Sequence, residues 1–256
     1  MTNVSLAHLD VRDTGQAGRT AVGDVTDRLG TTGMALVSGL TTRAQTLAFA
    51  ERLMAVVPHR DSDPDGLTTL RNIGRRVAQP GFAGFGSGEL LPHTERSSVP
   101  QPPRLMLLVC QQPAVSGGSV LLSDGRSIHA HLAEHAPDAL EALCRPGTAF
   151  YGDGGGHASQ VFTVHPDGRV TLRLRQDSLA QFSPLVQPYL PDLRRAISAV
   201  QHRLLLKAGE GYVIDNHRFL HAREAFDGDR LCLRALGVPR LPMGSGFTAS
   251  ASRRPR

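Results

Sequence analysis

The sequence predicts a mainly β fold with flanking helices, built around an antiparallel jelly-roll barrel (a double-stranded β-helix of the cupin-like kind). Three observations predict it. Six short apolar or alternating runs follow one another after residue 100: "RLMLLVCQQ" (104–112), "GSVLLSD" (118–124), "SQVFTV" (159–164), "VTLRLRQ" (170–176), "GYVIDN" (211–216) and "RLCLRALGV" (230–238). "HPDG" at 165–168 joins two of them with hairpin-turn chemistry. The 27 Gly and 17 Pro favour many turns and short strands over long helices. Short strands with a few helices outside them suit a jelly roll.

The elements can be justified in order. "AVGDVTDRLG" (21–30) has helical periodicity that breaks at Gly30, and "MALVSGL" (34–40) continues as a strand. "TTRAQTLAFAERLMAVV" (41–57) is an amphipathic helix with Thr41 or Thr42 as its N-cap. A polar loop follows at 58–66, and a Gly-rich loop at 80–89 leads into His93 without a helix behind it, so it is no phosphate cradle. Helices are expected over 127–144, with a break near Pro137, and over 191–208, where Leu193, Ile197, Val200 and Leu204 share one side. "YGDGGGH" (151–157) reads as a plain surface loop, with a mobile loop over the barrel mouth as the alternative. The 256 residues are read as one domain, with 247–256 as a disordered basic tail ending in "RRPR".

Composition excludes several classes. The formal charge of +5 comes from scattered arginines, Lys207 being the only lysine, and no nucleic-acid-binding motif accompanies it. No run approaches the roughly 20 apolar residues of a membrane span, and the N-terminus lacks a signal-peptide pattern. Cys110, Cys144 and Cys232 are too few and too widely spaced for a disulfide framework or a Cys-rich zinc site. A cytoplasmic protein acting on a small molecule is expected, with its oligomeric state open.

Four stretches place a carboxylate two residues after a histidine: His8/Asp10, His59/Asp61, His93/Glu95 and His165/Asp167. The hairpin turn accounts for His165/Asp167, and His8/Asp10 lies in an N-terminus expected to fray. If His93 and Glu95 are metal ligands, a facial two-histidine, one-carboxylate iron site needs a distant second histidine. His221, after the strand that ends at Asp215–Asn216, can supply it. Alternation in "DRLCLRALG" then puts Arg230, Cys232 and Arg234 on one face and Leu231, Leu233 and Ala235 on the other. Two arginines on one face of an apolar strand need an anionic partner, and a dicarboxylate co-substrate would supply it.

Three segments, "LLPHTERSS" (90–98), "PPRLMLLVCQQPAVSGGSVLLSDG" (102–125) and "DNHRFLHAREAFDGDRLCLRALG" (215–237), resemble in order and separation the TauD/TfdA-type iron(II)- and 2-oxoglutarate-dependent dioxygenases. The resemblance is strongest to the clavaminate-synthase-like branch, in which the carboxylate ligand is Glu. It implies that His93, Glu95 and His221 bind iron(II), and that 2-oxoglutarate and O2 are co-substrates. Arg230 stands where the family's 2-oxoglutarate-binding arginine falls, and Ser119 in "GGSV" at the position of a hydroxyl residue that helps hold the same molecule. Arg234 is implied to meet the organic substrate or support the site, although the two arginines' roles could be exchanged. The implied reaction is oxidation of an unactivated C–H bond in an amino acid or amino-acid-derived natural-product intermediate, with antibiotic biosynthesis a natural setting. Hydroxylation is the implied outcome, with desaturation or ring closure as variants. Arg173, Arg175 and Asp177 occupy a stretch where relatives place substrate contacts. Two other readings are a non-catalytic barrel binding a small anion and a zinc-dependent hydrolase; the latter would leave the paired arginines unexplained.

Overall fold

In the computed structural model, which describes residues 7–12, 16–74 and 81–249, two sheets face each other across a shared core and helices cover their outer faces. The larger sheet runs in the order β1 (Leu9–Asp10), β2 (Met34–Ser38), β15 (Gly211–Asp215), β6 (Leu105–Gln112), β18 (Leu231–Pro239) and β3 (Met54–Val56), with β4 (Thr68–Arg71) also on β18. The smaller runs β14 (Gln201–Leu204), β8 (Val120–Asp124), β16 (Phe219–Arg223), β5 (Leu90–His93). Pairing in both is antiparallel except between β1 and β2. Three minor sheets complete the strands: β7 (Ser116–Gly117) with β17 (Phe226–Asp227); β9 (Ala149–Tyr151) with β10 (His157–Ser159) and β13 (Ala180–Phe182); and β12 (Arg169–Leu172) with β11 (Phe162–Val164) and β19 (Phe247–Thr248).

Strand parity sorts side chains into layers. On β6, Leu105, Leu107 and Val109 face outward onto α1 (Gln16–Thr32) and α2 (Arg43–Leu53), while Met106, Leu108 and Cys110 face the space between the sheets. Leu220 of β16 faces the outer core under α3 (Gly125–His135), α4 (Pro137–Cys144) and α5 (Leu190–Ala199), whereas its neighbour Phe219 faces inward. Because both faces of the central strands are buried, β6 reads as a nearly continuous apolar run. Each fully buried leucine or methionine contributes about 1.5–3 kcal/mol of transfer free energy.

The jelly-roll expectation and its main strands are present, but several boundaries differ. The first helix continues through Gly30 and ends at Thr32. It is Gly33, at φ +76° with its N–H on Leu29 O at 3.0 Å, that turns the chain out of the helix, as only a residue free of a Cβ does cheaply. The second helix starts at the Thr42 capping box with Gln45 and stops at Leu53, because Met54–Val56 pair with the end of β18. The helix expected to reach residue 208 stops at Ala199; Gln201–Leu204 instead pair with β8, and the open edge of that strand outweighs the continuing helical spacing of Val200 and Leu204. The run 159–164 breaks after Ser159 and 170–176 is regular only to Leu172. The assigned tail begins with ordered residues: Phe247 is buried and pairs with Val170. The "RRPR" end lies outside the described residues. At the other end Leu9–Asp10, expected to fray, pair in parallel with Val37–Ser38. Among the described residues no helix is long and apolar enough to cross a membrane.

Candidate active site

β5 and β16 bring the two histidines together. His93 is the last residue of β5 and is directly opposite His221 in the ladder, so the rings lie 4.1 Å apart between centroids at an interplanar angle of 48°. His221 shares the parity of Phe219 and points between the sheets. Glu95 follows two residues after His93, where the chain has left the sheet. Thr94 N–H donates to Leu174 O at 2.9 Å, and Asn216 clamps Glu95 through its backbone. The Asn216 side chain accepts from Glu95 N–H at 2.7 Å and donates to Glu95 O at 3.1 Å and Pro103 O at 2.8 Å. Asp215 holds the same corner by accepting His217 N–H at 2.9 Å and pairing with Arg104 at 3.1 Å. The next residue after Glu95, Arg96, has φ +51°, the one non-glycine residue with positive φ among those described.

One donor atom from each of His93, Glu95 and His221 can be chosen so that all three lie within 4.8 Å of one another. His93 Nδ1 is 2.8 Å from Leu91 O, which fixes the tautomer and leaves Nε2 with a free lone pair. Burial, then the neighbouring His221, pushes the His93 imidazole down to about 3, so the ring is neutral, the form that binds a metal. Burial works against ionisation of Glu95, but Arg234, whose Nη1 is 2.6 Å from Oε1, and His221 at 3.3 Å outweigh it and hold the carboxyl well below its usual range. Among the described residues His221 Nδ1 is buried without a hydrogen-bond partner. Two imidazoles and one carboxylate fit a divalent metal of iron(II) type.

The trio opens into a cavity of about 550 Å³ that reaches from the barrel interior to the loops around its mouth. Arg230 and Arg234 both line it, as strand alternation predicts. Their surroundings differ. Arg234 has Glu95. Arg230 is buried beside the Phe226 ring (5.7 Å from its centroid) and has no hydrogen bond or ion pair among the described residues. Arg223 lies on the same ring at 4.8 Å and donates to the carbonyls of Gly86 and Gly88, both at 2.6 Å. Burial and then Arg230 push the Arg223 guanidinium down to about 10. Among the described residues neither of these neighbouring buried guanidinium groups has a carboxylate partner.

Ser119 is not brought to the cavity. It precedes β8 by one residue, and Val120 is the residue that lines the space, since a shift of one position puts a side chain on the opposite face. Sequence reasoning passed over Tyr212, whose signal was one phenol at an inward position of an apolar strand, and whose ring lines the cavity. It also left His59/Asp61 apart from the site. These residues line the mouth, with His59 Nδ1 3.2 Å from Asp61, although they lie outside the metal trio. Arg175 and Asp177 line the mouth as a 2.5 Å ion pair, whereas Arg173 is used structurally, donating to Val99 O at 2.9 Å and Pro100 O at 3.0 Å. Gly152, Asp153, Gly155 and Gly156 of "YGDGGGH" line the cavity as well, in keeping with the mouth-loop alternative and not with plain surface. His165 belongs to the hairpin, as expected, with Nε2 2.9 Å from Thr171 Oγ1. Cys110 and Cys232 are buried free thiols and cross-strand partners.

A jelly roll with a His-x-Glu…His set at one end of its inner cavity is the architecture of a non-haem iron oxygenase. Comparison with known families makes this definite: the model described as "Taurine catabolism dioxygenase TauD, TfdA family" matches residues 2–236, and the chain belongs to that family. It is an iron(II)- and 2-oxoglutarate-dependent oxygenase. Solved structures share the fold at low identity. An asparagine oxygenase in complex with Fe(II), (2S,3S)-3-hydroxyasparagine and succinate is similar at TM-score 0.68 and 16% identity, over 91% of this chain and 86% of that one. The non-haem iron oxygenase OrfP in complex with Fe, succinate and (3S)-hydroxy-L-Arg is similar at TM-score 0.64 and 13% identity, covering 85% and 80%. The PvcB protein from Pseudomonas aeruginosa is similar at TM-score 0.65 and 14% identity, covering 84% and 79%.

Proposed function

We propose that this oxygenase hydroxylates an amino acid or an amino-acid-derived small molecule, with iron(II) held by His93, Glu95 and His221 and 2-oxoglutarate held at Arg230. The observation that carries the assignment of the keto acid is Arg230 itself, a buried cation in the cavity of the metal trio with no anion of its own. A hydrolase would have no use for it. When bound, the iron and keto acid supply oxidising power: 2-oxoglutarate and O2 become succinate and CO2, and one oxygen atom enters the substrate C–H bond to give the alcohol.

The chain's own residues do the rest. Asn216 and Thr94 fix the backbone on either side of the Glu95 Cα, so that its carboxylate would be held near the two histidines for a metal they share. Arg230 takes the carboxylate that the metal does not. Arg223 holds the Gly84–Gly88 segment against the cavity and excludes water from that end. The mouth offers Arg60, Arg96 and Arg175 beside Asp61, Asp153 and Asp177, a mixed set that suits a zwitterion better than a fatty acid or a simple sulfonate. The hydroxylated amino acids bound to the asparagine oxygenase and to OrfP support the same substrate class.

The test is anaerobic. Iron(II) and then 2-oxoglutarate are added to metal-free protein, and the visible metal-to-ligand charge-transfer band is recorded. Its appearance in wild type and absence in His93→Ala is the expected result; iron binding without the band would remove the keto acid from Arg230. A succinate-release screen across the amino acids and their simple derivatives then tests substrate class, and a response only to sulfonates or fatty acids would overturn it.

A further inference from the structure

Resting on the reading of the chain as an oxygenase of amino acids, we propose that Arg96 binds a carboxylate of the organic substrate and so sets a preference for an acid over its neutral amide. Arg96 directly follows the metal carboxylate Glu95, is half-buried and lines the cavity. Its φ of +51° lies in the left-handed region, which a residue with a Cβ enters only at a cost. The turn around it is held from several sides. Asn216 clamps Glu95 on one side, and Arg96 O accepts from Val99 N–H at 3.2 Å. Arg173 donates to Ser97 O at 3.3 Å, Val99 O at 2.9 Å and Pro100 O at 3.0 Å. A strained residue held in place this way marks a functional position. All of these bonds are made by neighbouring groups or by the Arg96 backbone, so glycine or asparagine would serve the turn more readily. The guanidinium is what needs a reason.

The other arginines of the cavity have work already. Arg60 pairs with Asp61 at 3.2 Å and lies over the Phe82 ring at 4.9 Å. Arg175 pairs with Asp177, and Arg234 with Glu95. Arg223 donates to the carbonyls of Gly86 and Gly88. Arg230 is the cation assigned to the keto acid. Arg96 has no side-chain hydrogen bond or ion pair among the described residues. A guanidinium only donates, and its planar fork matches the two oxygens of a carboxylate. Of the two charged ends of an amino acid it therefore takes the acid and repels the ammonium. With the keto acid placed at the metal and Arg230, the carboxylate left for Arg96 is the organic substrate's. Arg173 does not line the cavity, and its part is to hold the turn that presents Arg96.

The experiment compares wild type, Arg96→Gly and Arg96→Lys, each loaded with iron(II). Glycine removes the guanidinium while suiting the left-handed backbone, and lysine keeps the charge without the fork. Succinate release is measured with those amino acids and simple derivatives that respond in wild type, and with the carboxamide of each. The charge-transfer band, titrated with 2-oxoglutarate, reports the keto acid separately. Arg96→Gly is expected to lower kcat/KM for the acid about thirtyfold, the worth of hydrogen bonds to a charged group, chiefly through KM. The amide should react as it does with wild type, Arg96→Lys should recover part of the loss, and the band should titrate identically in all three. An unchanged ratio of acid to amide in Arg96→Gly would overturn the proposal. So would an equal loss for both or a weakened band, either of which would mean that residue 96 only shapes the turn beside Glu95. Wild-type protein that shows the band but releases succinate with no amino acid or derivative would instead overturn the substrate reading, and this inference with it.

Discussion

Arg230 and Arg234 lie four residues apart, face one cavity, and belong to two ends of the site with opposite electrostatics. At the metal end the charges are balanced in advance: Glu95 is ionised because Arg234 and His221 face it, and its backbone is clamped by Asn216. At the end where the keto acid is proposed, Arg230 and Arg223 flank one phenylalanine ring, and neither has an ion pair among the described residues. The first end is built to hold its ligands in place before the metal arrives. The second presents two buried guanidinium groups, and the proposed keto acid is the anion that would balance them.

The comparison breaks most visibly at the metal end. Glu95→Ala is expected to lower iron(II) affinity more than about a hundredfold, beyond the loss typical of removing a residue that merely supports a ligand. Iron content after gel filtration, read against wild type, checks it. Retention of iron would move the metal site elsewhere.

The next largest effect separates the arginines. Arg230→Met should weaken 2-oxoglutarate about a hundredfold, the range for truncating one partner of a buried charge pair. The same change should leave the thermal midpoint of the ligand-free protein unchanged or raised, because it removes a buried cation that has no partner there. Arg234→Met should do the reverse. It strands a buried carboxylate and should cost the metal-free protein about 3 kcal/mol, with much of that recovered when iron(II) is bound. Denaturant melts of both variants, with and without metal, decide the matter. Equal destabilisation by both would mean that the two ends do not differ.

How much of this was legible in the sequence follows the same division. His93, Glu95, His221, Arg230 and Arg234 could be singled out because a facial metal site asks for fixed residue types and a strand of period two shows its inward face directly, and all five line one cavity. Ser119 could not be placed, since its position is one residue from the inward parity and nothing local marks where β8 begins. Tyr212 was visible only as an apolar-strand residue, and its place on the cavity wall follows from three-strand register. The second helical pattern misled for a related reason: Val200 and Leu204 fit a helix, but the edge of β8 was available only in the fold. The mouth was least legible, because His59, Asp61, Arg175 and Asp177 come from loops whose approach no periodicity records.

The smallest expected effect lies at that mouth. Arg43 opens the first turn of α2, where a cation is unfavourable to the helix dipole. It is held there by Asp63 at 2.8 Å and Asp65 at 2.6 Å, both in the loop that carries His59 and Asp61. The hydrogen bond from Arg43 keeps the Asp65 carboxyl below its usual range. Because the folded value is lowered, the stabilisation is complete above the ordinary carboxylate range and is lost as pH falls through the folded value. The groups are partly exposed, so the gain is less than about 1 kcal/mol and fades with salt. Proteolysis of the 58–66 loop should therefore quicken modestly on acidification or in Arg43→Ala at neutral pH, with iron and keto-acid binding unaltered. A variant whose loop is cut no faster than wild type would show that α2 packing alone holds this side of the mouth.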